Sequence, residues 1–141
     1  MNARFLPITH IVMQTKQILY VEDDTANQTL IKLFIKKEPF ELTTADNPDD
    51  ALDLVRSNSY DVIIVDLNLR KEGDGAELIR EIRDVDGYES VPVFVFSGHD
   101  VHSFRDYGIE DMIQNYFSKP VNKKTLVNAL WEVLEIEQNQ T

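Results

Sequence analysis

The chain has 141 residues, a formal net charge of −11, 43% hydrophobic residues and no cysteine. That length suits a single domain with one core, and the missing cysteines exclude disulfides, thiolate metal sites and cysteine nucleophiles. They also fit a reducing, cytoplasmic setting. The acidic balance argues against direct nucleic-acid binding and against anionic membranes: no basic run is longer than a pair such as Lys36-Lys37 or Lys123-Lys124. No apolar run approaches the ~20 residues of a membrane span.

Residues 1–16 show no sustained period and are expected to be a flexible tail. Their apolar stretch, Phe5 to Met13, is interrupted by Pro7, Thr9 and His10 and does not read as a signal peptide. Ile18-Leu-Tyr-Val21 reads as a buried strand that stops at Glu22-Asp-Asp24. Ala26, Leu30, Leu33, Phe34 and Lys37 then follow helical spacing, with Asp24 or Thr25 as cap and Pro39 as stop. Glu41–Ala45 is a weaker strand. Asn47-Pro48 opens a second helix as cap and first helical residue, and Ala51, Leu52 and Val55 give it an apolar face.

Asp61-Val-Ile-Ile-Val-Asp66 is a strand that ends in a carboxylate. A glycine-rich, charged loop follows to Gly75, then a third helix marked by Ala76, Leu78, Ile79, Ile82 and Arg83. Val91–Phe96 is the fourth strand and ends at Ser97-Gly98. Residues 101–112 are weakly patterned and are expected to hold a fourth helix. Tyr116-Phe-Ser118 is a fifth strand that meets Lys119-Pro120. Leu126, Val127, Leu130, Trp131, Val133 and Leu134 mark a final amphipathic helix, and 139–141 should fray. Strict strand–helix alternation predicts an α/β domain over 17–138: a parallel sheet covered by helices on both faces.

In such sheets ligands bind at the carboxyl ends of the strands. Glu22 and Asp23, Asp66, Ser97 and Lys119 all fall there. Three carboxylates in one place need a cation, and Mg²⁺ suits oxygen ligands, several waters and a phosphate. Glu22 and Asp23 are candidate metal ligands or groups standing just behind the ligands, Asp66 supplies another oxygen, and the Asn68 carbonyl is a further candidate. Asp66 then reads as an oxygen nucleophile toward phosphorus, with Lys119 and Ser97 meeting the phosphoryl oxygens.

This set resembles the receiver domain of two-component response regulators. The resemblance is carried by Leu19-Tyr-Val-Glu-Asp-Asp24, Val62–Asn68, Phe94-Val-Phe-Ser97-Gly98 and Phe117-Ser-Lys119-Pro120, in order and at family-like spacing. It implies the doubly wound, flavodoxin-like (βα)5 fold with strand order 2-1-3-4-5. It also implies a Mg²⁺ site at Glu22, Asp23, Asp66 and Asn68, phosphorylation of Asp66, and phosphoryl contacts from Ser97 and Lys119. Tyr116 would be the aromatic that follows Ser97, and Pro120 would be preceded by a cis peptide bond. The implied partners are a sensor histidine kinase or histidine phosphotransfer protein and a downstream protein. The latter would meet a helix 4–strand 5–helix 5 face at roughly 101–137, through which a homodimer could also form. Two features depart from the family: Glu22 stands where aspartate is commoner, and the loop after Asp66 is one residue longer than usual, with Arg70 at a frequent proline position.

Singly, each of these residues has an ordinary reading. The acidic triplet can cap a helix, which is the role expected of Asp24. Ser97-Gly98 is a turn, Lys119 a surface lysine, Tyr116 a sheet aromatic and Trp131 a packing residue. His10, His99 and His102 have no metal spacing and are expected to face solvent. Together the set reads as a stand-alone phospho-acceptor switch rather than an enzyme. The competing readings are an interaction module with a decayed site and a phosphatase of the haloacid-dehalogenase type. The latter wants a second aspartate where Asn68 stands.

Overall fold

The structure, a computed structural model, describes residues 15–71, 73–98 and 107–139. Five strands form one parallel sheet: β1 (Lys16–Val21), β2 (Phe40–Ala45), β3 (Val62–Asp66), β4 (Val93–Ser97) and β5 (Asn115–Ser118). Their order is β2-β1-β3-β4-β5, the doubly wound arrangement. The α-helices are α1 (Thr25–Ile35), α2 (Pro48–Ser57), α3 (Asp74–Arg83) and α4 (Lys123–Asn139). Of the segment expected to hold a fourth helix, 101–106 lies outside the described residues. The remainder contains only a 3-10 turn, Glu110–Met112. The helix labelled α4 is therefore the fifth of the sequence reading. His10, His99, His102 and the tail up to residue 14 also lie outside the described residues.

Side-chain alternation along the strands divides the core into two layers. Leu19, Val21, Ile63, Val65, Val93 and Val95 pack under α2 and α3, against Ala51, Leu52, Val55, Leu78, Ile79 and Ile82. Ile18, Tyr20, Val62, Ile64, Phe94, Phe96 and Phe117 pack under α1 and α4, against Ile31, Ile35, Leu126, Leu130 and Leu134. Every residue of β3 and β4 is buried, which is why neither strand alternates in sequence.

The helix starts follow the capping chemistry. Asp24 accepts from the Ala26 and Asn27 amides at 2.8 and 3.3 Å. The Asn47 side chain accepts from the Asp50 amide at 2.8 Å, ahead of Pro48. Trp131 packs as expected: its ring lies 5.2 Å from that of Phe40, and its indole N–H donates to Glu38 at 2.7 Å.

Three boundaries or faces differ from expectation. β1 begins at Lys16, whose amide bonds to the Pro39 carbonyl at 3.1 Å, so the last residue of the expected tail belongs to the sheet. α1 ends at Ile35, four residues before Pro39. Most tellingly, α1 buries Gln28, Ile31 and Ile35, while Leu30 and Leu33 are 41% and 57% exposed. The Gln28 amide explains the rotation. It donates to the Glu22 carbonyl at 2.6 Å and to the Asp46 carboxylate at 2.8 Å, pinning the 28–31–35 stripe to the sheet.

Candidate functional site

The period-2 rows of the strands decide which side chains meet. Ile18, Tyr20 and Glu22 form one row; Val62, Ile64 and Asp66 a second; Phe117 and Lys119 a third. Continued past the strand ends, these rows bring Glu22, Asp66 and Lys119 to the sheet face under α1 and α4. The Glu22 amide extends the β1–β2 ladder by bonding to the Ala45 carbonyl at 3.0 Å. The Lys119 amide bonds to the Ser97 carbonyl at 2.8 Å and ties the lysine to the end of β4. The Lys119–Pro120 peptide is cis.

The Lys119 ammonium bridges two carboxylates. It donates to Asp66 Oδ2 and to Glu22 Oε1, the latter at 3.2 Å. Asp66 is 3% exposed and Glu22 1% exposed, so both carboxylates are drawn out of water, while the Lys119 side chain keeps 28% of its surface exposed. Asp66 Oδ1 accepts from the Asn68 amide at 3.0 Å. Burial, partly offset by the hydrogen bond and charge of Lys119, pushes the Asp66 carboxyl up to about 6. Glu22 moves the other way. Burial opposes its ionisation, but the Lys119 charge and the hydrogen bonds around it win and hold it below the usual carboxylate range. Asp23 is exposed, and its carboxyl is raised by desolvation and by its neighbour Glu22.

Asn68 is half-buried, and its side-chain oxygen accepts from the Gly73 amide at 3.2 Å, folding the loop after Asp66 back on itself. The loop then closes against the strand. The Gly75 amide donates to the Leu67 carbonyl at 2.9 Å, and a Cβ at Gly75 would lie 2.2 Å from the Asp66 carbonyl oxygen. Ser97 is fully buried. Its row, through Val95 and Val93, belongs to the other sheet face, under α2 and α3. Tyr116, paired in register with Val95, packs half-buried on that same face.

The structure thus joins Glu22 and Asp66 through Lys119, with Asp23 and Asn68 beside them in the chain, and leaves Ser97 at the same rim, one residue past the Asp66–Phe96 register pair, with Tyr116 packed on the α2–α3 side of the sheet. Among the described residues no three Asp, Glu, His or Cys side chains converge as a self-sufficient metal cage. The donor set is oxygen-only, and two of its carboxylates, Glu22 and Asp66, are buried against a single ammonium. That combination fits a hard divalent cation bound by one or two carboxylates, a carbonyl, waters and a phosphate. Glu22 is the poorest placed of the expected ligands, because its oxygens already accept protein donors.

Two residues at the site escaped the sequence reading. Tyr20 donates its hydroxyl to Glu22 Oε1 at 3.2 Å, and Asn27 donates its side-chain amide to the same oxygen at 3.1 Å. Tyr20 stands two residues before Glu22 in one strand row, a signal the sequence does carry. Asn27 depends on the docking angle of α1, which it does not.

The model of the response regulator receiver domain matches residues 18–131. The transcriptional regulatory protein SrrA of Staphylococcus aureus is 27% identical over 127 residues, covering 90% of this chain and 51% of SrrA. The chain thus spans about half the length of the curated relatives it matches. A CheY-like receiver domain protein from Methanospirillum hungatei superposes with a TM-score of 0.79 at 21% identity, covering 91% of this chain and all of that one. The receiver domain of the Pseudomonas aeruginosa sensor histidine kinase PA1611, solved with a magnesium ion coordinated in its active-site cleft, gives 0.78 at 24% identity over 86% of this chain and 99% of that one. These two neighbours speak for the fold; the family match covers most of the chain. The chain belongs to the response regulator receiver domain family.

Proposed function

We propose that this domain accepts a phosphoryl group on Asp66 from a phosphohistidine of a sensor kinase or phosphotransfer protein, and acts in the cytoplasm as a switch rather than as an enzyme. The observation that carries the reading is the buried Asp66 carboxylate held by the Lys119 ammonium at a strand end. An Asp66 oxygen attacks phosphorus. The new O–P bond forms as the P–N bond breaks, and the electron pair leaves with the imidazole nitrogen, which then takes a proton. With a carboxyl pKa of about 6, Asp66 is largely ionised at neutral pH and able to attack. Lys119 supplies positive charge to the transferring group, and the Ser97 hydroxyl supplies a hydrogen-bond donor. Mg²⁺, when bound, would neutralise charge on the phosphoryl oxygens; Asp23, Asp66 and the Asn68 carbonyl would hold it, with Glu22 behind them.

On phosphorylation, Lys119 and Ser97 gain a new anionic partner. Tyr116 shares a sheet face with Ser97 and follows its movement. The surface built on residues 107–112, β5 and α4 would then change its affinity for a downstream protein or a second copy of the chain. The complete set of Glu22, Asp23, Asp66, Ser97 and Lys119 argues against a decayed site. Incubation with Mg²⁺ and acetyl phosphate should add one phosphoryl mass to the parent and none to Asp66→Asn. Absence of the adduct in the parent would turn the reading to a phosphorylation-independent module.

A further inference from the structure

The Glu22 carboxylate is already engaged by protein donors on both oxygens. Oε1 accepts from the Tyr20 hydroxyl at 3.2 Å, the Asn27 side-chain amide at 3.1 Å and the Lys119 ammonium at 3.2 Å. Oε2 accepts from the Asp24 amide at 3.3 Å. Glu22 and Tyr20 are each 1% exposed, and the Tyr20 ring stands edge-on to Phe96 with centroids 5.6 Å apart. The extra methylene of Glu22 over an aspartate gives its carboxylate reach along the strand row toward the Tyr20 hydroxyl. Three donors on one oxygen disperse its charge. Lys119 is therefore held by Glu22 without being captured, and its ammonium stays shared with Asp66.

We propose that Tyr20 and Asn27 are positioning residues that fix Glu22 as the tether of Lys119, the phosphoryl-binding cation. This rests on the reading of Asp66 as the acceptor. Without the Tyr20 hydroxyl or the Asn27 amide, Glu22 regains unused acceptor capacity and draws Lys119 away from Asp66. Phosphoryl gain slows, while the oxygens of Asp23, Asp66 and Asn68 are left as they were.

The test compares the parent with Tyr20→Phe, Asn27→Ala, Glu22→Gln and Tyr20→Phe/Glu22→Gln. It reads the rate of acetyl phosphate labelling at saturating Mg²⁺, and Mn²⁺ affinity by electron paramagnetic resonance. Labelling should slow about five- to tenfold in Tyr20→Phe and Asn27→Ala. Mn²⁺ affinity should stay within about twofold, rather than falling the roughly ten- to hundredfold expected when the support of a metal ligand is lost. In the Glu22→Gln background, Tyr20→Phe should slow labelling no further, because its effect runs through that carboxylate; a purely structural tyrosine would slow it again. Asn27 is half-buried on a helix, so Asn27→Ala decides the matter if Tyr20→Phe does not fold. Parent-like labelling in the single variants, or an effect confined to Mn²⁺ affinity, overturns the proposal while leaving the acceptor reading intact. A parent that takes no label overturns both.

Discussion

Asp66 carries its charge at a cost to the fold. An acid whose folded pKa is raised binds its proton more tightly folded than unfolded. Its stabilising contribution is therefore present below its ordinary value and lost as pH rises through about 6. Glu22, held below its ordinary range, contributes in the opposite sense: its stabilisation is present above that range and fades as pH falls through its lowered value. Asp66→Asn should accordingly stabilise the protein in a chelator at pH 7.5, by about 1–2 kcal/mol once the lost Lys119 contact is set against the relieved burial of charge. Urea unfolding should show the gain closing at pH 4, where parent Asp66 is protonated. Added Mg²⁺ should stabilise the parent and not the variant. Lys119→Met poses the converse case. It leaves Glu22 and Asp66 buried without their cation, and should destabilise by roughly 2–3 kcal/mol at neutral pH. Combining it with Asp66→Asn should recover part of that loss, because one of the two stranded charges is gone.

At the scale of elements, the site depends on how closely α3 approaches the end of β3. A Cβ at Gly75 would meet the Asp66 carbonyl at 2.2 Å and Leu67 Cα at 2.7 Å, all backbone that cannot swing aside. Gly87 has φ +93 and open space around it. Gly75→Ala should therefore cost about 3 kcal/mol or more in denaturant unfolding and slow labelling of Asp66. Gly87→Ala should cost roughly 1 kcal/mol, from backbone strain alone, and leave labelling unchanged. The strands and their terminal residues were legible in sequence because parallel strands buried on both faces read as continuous apolar runs; Val62–Asp66 and Phe94–Ser97 announce themselves. The caps at Asp24 and Asn47 were legible because capping is local chemistry. The buried face of α1 was not, since Leu30 and Leu33 are as apolar as Ile31 and Ile35. What separates them is the Gln28 amide, reaching the Glu22 carbonyl and Asp46 in a different element. The same holds for Asn27, whose partnership with Glu22 exists only once α1 has docked, and for Arg83. The Arg83 side chain reads as the end of a helix face, yet it donates to the Tyr88, Val91 and Met112 carbonyls at 2.8, 2.7 and 2.5 Å, tying the α3–β4 loop to the segment before β5.

The whole molecule carries two electrostatic regimes that salt should separate. Its surface holds most of a net charge of −11, and like charges on a folded domain repel one another across distances that a few Debye lengths of salt remove. The Lys119 bridge is the opposite case, an attraction between a partly exposed ammonium and two carboxylates withdrawn from water, screened less than a surface pair. If surface repulsion is the larger salt-sensitive term, raising NaCl from low to near-physiological concentration should stabilise the metal-free domain. We expect about 1 kcal/mol, read as a rise of roughly 3–5 °C in Tm. The same salt should leave the spacing between parent and Lys119→Met nearly constant, because their difference lies in the buried bridge. A falling Tm would show that attractive surface pairs outweigh the acidic excess. A parent–variant gap that narrows with salt would show that the bridge is wetter than its burial implies. Binding should respond in the reverse direction. A partner that presents basic charge to this acidic domain gains encounter rate from the field at low salt, and that rate should fall as salt rises even while the domain itself becomes more stable.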